Sequence, residues 1–378
     1  MYGTCHKLVV QRFSSLTIFS FDSVDMGELQ KIHGANAEET FDIFQKSVLY
    51  KKNEIVSQPD KHKLDIQAEC LNKHELCAFW AAIGECTANP NYMKLQCGPS
   101  CRSCHLIDIN NRCPLDPNAK DALGPDDLDR VFLKLTDIHG PFKEYEPIVH
   151  SHPPGIVNAE NIKYGEDPIL DGPWVVTFES FHTDEESERL IEMGHKLGYK
   201  RSTDVGKQKF DGSYENNESS SRTSHNAWCI DECEEDPLAQ KVVHRIGNVT
   251  GIPYSNYENL QLLKYTEGQF YRKHHDFIPH QVDRQCGPRV LTFFLYLNDV
   301  EEGGATNFPL LKREEGGLKI YPKKGRALLW PSIKNTDPNR IDSRTKHEAM
   351  EVVKGEKYGA NAWIHLRDFQ TPNKAGCA

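Results

Sequence analysis

The run LQLLKYTEGQFYRKHHD, residues 260–276, sets the reading of the chain. LQLLKY and QFYRKHHD are short aliphatic or aromatic segments parted by Thr266-Glu-Gly268, the pattern of two strands and a turn. In the second segment His274 and Asp276 stand two residues apart. Side chains at i and i+2 leave a strand from one face. An imidazole nitrogen and a carboxylate oxygen would then converge on one point, as two neighbouring ligands of an octahedral metal do. A third ligand has to come from elsewhere.

Downstream, RVLTFFLYLND, LKIYP, GRALLWP, KHEAMEVV and NAWIHLRDF repeat the same kind of run between Gly, Pro, Asn and Asp clusters. Helical patterns lie only upstream. Leu128, Val131, Phe132 and Leu135 follow Gly-Pro-Asp-Asp at 124–127; Thr183-Asp-Glu-Glu186 reads as a capping box before ESERLIEMGHKLG; and DPLAQKVVHRIGNVTG stops at Gly251-Ile-Pro253. WVVTFESF, from Trp174, reads as a strand, whereas 200–227 is polar and loop-like. The expected fold is mainly β with flanking α, a double-stranded β-helix (jelly roll) whose open mouth suits a small-molecule site.

His347 begins one of the late strands and is the candidate third ligand. Two histidines and one carboxylate on one face leave the remaining metal positions open, the arrangement of non-haem Fe(II) oxygenases. Lys357, ten residues later, could hold the distal carboxylate of a dicarboxylic co-substrate. His275 should face away from the ligands, His280 reads as a loop residue, and His365 as a packed or rim histidine.

Together YTEGQFYRKHHD, LTFFLYLNDVEEGGATNFP, KKGRALLWP and the His347-to-Lys357 stretch resemble the prolyl 4-hydroxylases, Fe(II)- and 2-oxoglutarate-dependent dioxygenases. The resemblance covers roughly residues 174–369. It implies that His274, Asp276 and His347 hold Fe(II) and that Lys357 anchors the C5 carboxylate of 2-oxoglutarate. Tyr265 and Thr306 would line the co-substrate pocket, and Arg222 would lie in the flexible loop that closes over a peptide. Asp276 stands where related halogenases have a small residue, and Lys357 where lysyl hydroxylases have arginine. Both favour hydroxylation of peptidyl proline at C4, with succinate and CO2 as co-products and L-ascorbate as reductant. The alternatives are an oxygenase acting on another residue and a non-catalytic secreted protein that binds Pro-rich chains.

The rest of the chain bounds the setting. Of the twelve cysteines, six (Cys70, Cys77, Cys86, Cys97, Cys101 and Cys104) fall in one short segment, too small to fold on apolar burial alone. Cys101 and Cys104 form a CxxC, but no second pair follows at zinc-finger spacing. The spacing C-x6-C-x8-C-x10-C-x3-C-x2-C, with CAFWAAIGECTANPNYM and CGPSCRSC, resembles a sea-anemone-toxin-like (ShKT) module. That resemblance implies the pairs Cys70–Cys104, Cys77–Cys97 and Cys86–Cys101, in an appended interaction or spacer domain rather than a channel blocker. Disulfides point to the secretory pathway and, through it, the endoplasmic reticulum lumen; the sequons Asn217-Glu-Ser219 and Asn248-Val-Thr250 agree. Cys229 and Cys233 either close a small loop or stay free, and Cys5, Cys113, Cys286 and Cys377 have no assigned partner.

The expected order is a helical or partly disordered leader (1–60), the ShKT module (70–104), a connector with one helix (105–172) and the oxygenase domain (173–370). The Pro-rich end of the connector, 141–172, reads as extended chain lying on a neighbour. Residues 8–21 are mildly apolar but interrupted by Gln11 and Arg12, so a targeting signal is weak or missing. A net charge of −10 without a long basic run argues against nucleic acid or anionic membrane as a partner. No apolar run is long enough to span a bilayer. The expected partner is a proline-containing peptide or protein; the oligomeric state is left open, with a monomer favoured.

Overall fold

The computed structural model describes residues 7–12, 15–20, 24–32, 34–57, 61–157, 159–208 and 214–377. The chain divides into two units, Met1–Pro114 with Lys207–Glu215 and Ala375–Cys377, and Leu115–Gly206 with Asn216–Lys374.

In the first unit the helix Ala37–Tyr50 packs against Cys77–Ala82, and Val24, Met26, Ile32, Phe44, Val48 and Ala78 share one small core. Part of the expected leader is thus built into the cysteine-rich unit. Disulfides join Cys70 to Cys104, Cys77 to Cys97 and Cys86 to Cys101. A further one joins Cys113 to Cys377 across 264 residues. Cys5 lies outside the described residues.

The second unit is built on a nine-stranded sheet. Its order is Tyr164–Ile169, Pro147–Ser151, Val175–Phe178, Ala327–Pro331, Arg289–Tyr296, Lys357–His365, Gln261–Tyr265, His225–Trp228 and Lys200–Arg201. All pairings are antiparallel except the first. Alternation along Arg289–Tyr296 divides the core. Phe293 and Leu295 face a layer containing the helices Asp127–Thr136, Asp184–Leu197 and Pro237–Thr250, while Phe294 and Tyr296 face a second sheet. That second sheet has the order Tyr271–His274, His347–Ala349, Thr306–Phe308 and Leu318–Ile320. Two facing antiparallel sheets with flanking helices make the expected jelly roll.

The two long helices of the second unit start and stop as their sequences direct. Thr183 and Glu186 exchange side-chain-to-backbone hydrogen bonds in a capping box, and Asp236 caps the helix that Gly251 ends in the left-handed region. The 200–227 segment differs from its loop-like reading: Lys200–Arg201, Thr203–Gln208, Tyr214–Glu218 and His225–Trp228 are strands. Among its described side chains, Ser202 and Ser224 are buried and hydrogen-bonded to each other, and Asn226 donates to Ser202. A strand that buries hydroxyls carries no apolar run. The Pro-rich connector likewise adds two strands, Pro147–Ser151 and Tyr164–Ile169, at one end of the large sheet.

Cys229 and Cys233 form a disulfide, and Cys286 is free and buried. The five disulfides among the described residues point to an oxidising compartment, which fits the secretory pathway. Among the described residues no helix is long and apolar enough to cross a membrane.

Candidate active site

The site lies between the two sheets. Tyr271–His274 pairs with His347–Ala349 so that His274 stands opposite His347, with a register irregularity between Tyr271 and His274. The strand ends at His274, so Asp276 does not reach the site by simple strand alternation. The bulged strand and the bend after it turn the carboxylate back. One ligand atom from each of His274, Asp276 and His347 lies within 4.8 Å of the others. His347 Nε2 is 3.6 Å from Asp276 Oδ2, and His274 Nε2 is 3.9 Å from Oδ1.

The donor atoms are held in ligating form. His274 Nδ1–H donates to the Arg272 carbonyl (2.8 Å) and His347 Nδ1–H to that of Thr345 (3.0 Å), which leaves both Nε2 lone pairs facing Asp276. Burial, followed by the neighbouring His347, pushes the His274 pKa well below its ordinary value, so the ring stays neutral. Burial alone would raise Asp276, but His347, His274, Arg289 and the Thr292 hydroxyl outweigh it and hold the carboxyl at about 2. Thr292 Oγ1 donates to Asp276 Oδ2 at 2.6 Å. Two imidazoles and an ionised carboxylate, with Asp276 and His347 buried and His274 partly exposed, fit a divalent iron.

His275 points elsewhere, as its place on the strand suggests. Its Nδ1 accepts from the Phe277 N–H and its Nε2–H donates to the Asp342 carbonyl, bracing the loop that leads to His347. His280 lies in a short 3-10 turn, and His365 is packed in the interior against Glu258 and the Gly287 carbonyl.

Lys357 is 1% exposed and opposite Tyr265 across paired strands. Its Nζ donates to the Gly304 carbonyl (2.7 Å) and lies 5.3–5.5 Å from the ring centres of Tyr265, Phe294 and Tyr296. Burial lowers its pKa to about 7. No carboxylate of the described residues pairs with it, so an incoming carboxylate would complete its environment. Tyr265, Thr306, Lys357 and the three metal-ligand candidates line one cleft. Thr306 accepts a hydrogen bond from Tyr296 (2.7 Å).

Arg222 is not on an open loop. It is 7% exposed, bridged by backbone to Tyr271, and donates through Nη2 to Gln261 Oε1 (2.7 Å). Its guanidinium lies 4.7 Å over the Tyr271 ring, which stacks on His274 at 3.5 Å and 15°. A cation, a phenol and an imidazole thus form one stack, which fixes the His274 ring plane. Sequence reading missed Tyr271, Thr292, Trp330 and Asn361 in the cleft wall or directly behind it. Thr292, the one small polar residue in VLTFFLYL, was the available signal.

Residues 260–365 match the 2OG-Fe(II) oxygenase superfamily, and residues 69–104 match an ShK domain-like family. Probable prolyl 4-hydroxylase 9 of Arabidopsis thaliana is 35% identical over 237 residues, covering 58% of this chain and 78% of the relative. The chain belongs to the prolyl 4-hydroxylase family. Its match to the prolyl 4-hydroxylase subunit alpha-2 of Gallus gallus, 32% identical, covers 54% of this chain but 36% of that subunit. A solved viral collagen prolyl hydroxylase from Paramecium Bursaria Chlorella virus-1, in a 2OG complex, is 27% identical; the match covers 51% of this chain and 96% of that one, with a TM-score of 0.38. As a family member the chain is a 2-oxoglutarate-dependent dioxygenase that works with Fe(II).

Proposed function

We propose that this chain hydroxylates peptidyl proline at C4, with His274, Asp276 and His347 as the iron ligands and Lys357 as the anchor of 2-oxoglutarate. The observation that carries the reading is the pairing of a largely buried two-histidine, one-carboxylate cluster with a buried lysine that has no carboxylate partner among the described residues, both in one cleft. Bound Fe(II) supplies oxygen activation coupled to decarboxylation of 2-oxoglutarate.

The remaining work falls to the chain. Lys357, with Thr306 and Tyr265 beside it, holds the distal carboxylate and so fixes how far the keto-acid end reaches toward the histidines. Phe294, Tyr296, Trp330 and Tyr265 keep that end of the cleft apolar, which strengthens the ion pair and excludes water. Thr292 engages Asp276 Oδ2 and thereby orients the carboxylate. The Arg222–Tyr271–His274 stack positions His274, the most exposed of the three ligands, at the open end where a peptide would enter. A polyproline II segment is already extended and loses little entropy on binding there.

The setting of this reading is the endoplasmic reticulum lumen, with L-ascorbate keeping the iron ferrous and the chain acting as a monomer. Incubation of the full chain with Fe(II), ascorbate, 2-oxoglutarate and a library of proline-rich peptides tests it by mass spectrometry. The expected product carries one added oxygen on proline C4. Peptides left unmodified, or oxygen on another residue, with iron binding intact, overturn the proline assignment.

A further inference from the structure

We infer that Asn248 is an N-glycosylation site, modified before the helix that carries it folds, and that its glycan projects from the side of the domain opposite the catalytic cleft. The inference rests on the secretory-pathway reading above.

The geometry supports both parts. Asn248 lies near the end of the helix Pro237–Thr250 and is exposed, while Val242, Ile246 and Val249 of that helix are buried in the core on the helical side of the large sheet. The cleft residues Leu263, Tyr265, Phe294 and Trp330 belong to the core on the other side of the sheet. A bulky, strongly hydrated glycan on Asn248 therefore stands in solvent and leaves the cleft open.

The third residue of the sequon sets the timing. Thr250 is 3% exposed, and its hydroxyl is engaged with the Ile246 carbonyl (2.9 Å), the Tyr257 hydroxyl (2.6 Å) and the Ile252 N–H (3.3 Å). A transferase reads the carboxamide and the hydroxyl two residues on together. In the folded domain Asn248 is presented and Thr250 is hidden, so the pair is readable only while this segment is still unfolded. In the transfer, the Asn248 carboxamide nitrogen bonds to the anomeric carbon of a lipid-diphosphate-linked oligosaccharide. The sugar–phosphate C–O bond breaks, the lipid diphosphate leaves with the electron pair, and the nitrogen gives up one proton. The other sequon residue, Asn217, has a side chain outside the described residues.

The test expresses the full chain in a eukaryotic secretory host, followed by enzymatic deglycosylation and peptide mapping. Arg245 and Lys264 bound a tryptic peptide separate from the one that carries Asn217. The expected result is an Asn-to-Asp conversion at 248, lost in Asn248→Gln and kept in Thr250→Ser, with unchanged 2-oxoglutarate turnover in Asn248→Gln. Folded chain made without glycan should resist a transferase supplied with the lipid-linked donor; efficient modification of that chain overturns the timing. An unmodified Asn248 in chain whose Cys229–Cys233 bond is intact overturns the site and leaves the compartment standing. Unmodified Asn248 with reduced cysteines overturns the site and the compartment together.

Discussion

Replacing Lys357 with methionine should have two effects of opposite sign. The buried ammonium has a pKa of about 7 against an ordinary 10.5, with burial as the cause. That gap corresponds to about 5 kcal/mol of disfavoured charge. Because the folded chain binds fewer protons than the unfolded chain between those two values, Lys357 destabilises the ligand-free fold most below pH 7, and the penalty is relieved as pH rises toward 10.5. Methionine, which suits the Tyr265, Phe294 and Tyr296 cage, should therefore raise stability by roughly 5 kcal/mol at pH 6 and roughly 2 at pH 9. It should also remove a charge-assisted hydrogen bond to the co-substrate, about 1.5–3 kcal/mol, which raises the 2-oxoglutarate KM roughly 10- to 150-fold. In the unmodified chain, 2-oxoglutarate binding should take up a proton and weaken as pH climbs above about 7. Denaturant melts at the two pH values and co-substrate titrations of CO2 release measure both effects. A variant with the original KM, or one destabilised equally at both pH values, refutes the reasoning.

His347→Ala should abolish turnover and Co(II) binding measured by calorimetry; full activity would remove it from the ligand set. Thr292→Val leaves the Asp276 carboxylate without its hydroxyl donor and should weaken metal binding by about 10–100-fold, read by the same titration. Glu258→Gln should cost about 3–5 kcal/mol in denaturant melts, because Glu258 pairs with Arg289 (2.5 Å) and His365 (2.9 Å) in the interior. That network also sets a pH window. Burial opposes the His365 charge, yet Cys286 and Glu258 raise its pKa to about 9, so its contribution is complete below 6.5 and lost as pH rises through 9. Glu258, held at about 2 by Arg289 and His365 against burial, contributes above 4.5 and loses that as pH falls through 2.

The features legible in the sequence were those that local chemistry enforces. Capping at Thr183 and Asp236 and the aromatic runs from Leu260 onward followed from rules that act over a few residues. The approach of His347 to His274 and Asp276 followed from motif order. What escaped depends on tertiary placement. Ser202, Ser224 and Asn226 bond to one another where two paired strands meet their flanking residues, and their pattern is indistinguishable from a loop until the partner strand is known. Arg222 reads as a loop cation, yet Gln261 and Tyr271 bury it. Asp276 reaches the site through a bulge and a bend rather than strand alternation, a local irregularity that a two-residue spacing does not reveal.

The bond between Cys113 and Cys377 makes a covalent ring that encloses the whole oxygenase match, residues 260–365. A single proteolytic cut anywhere between those residues opens the ring without releasing a piece, so nicked chain should run as one band without reductant and as two with it. Shortening the C-terminus past Cys377 has a sharper consequence. It leaves Cys113 as an orphan thiol beside a module that must choose its own three pairings, and mispaired isomers should appear during oxidation even though no residue of the cleft has changed.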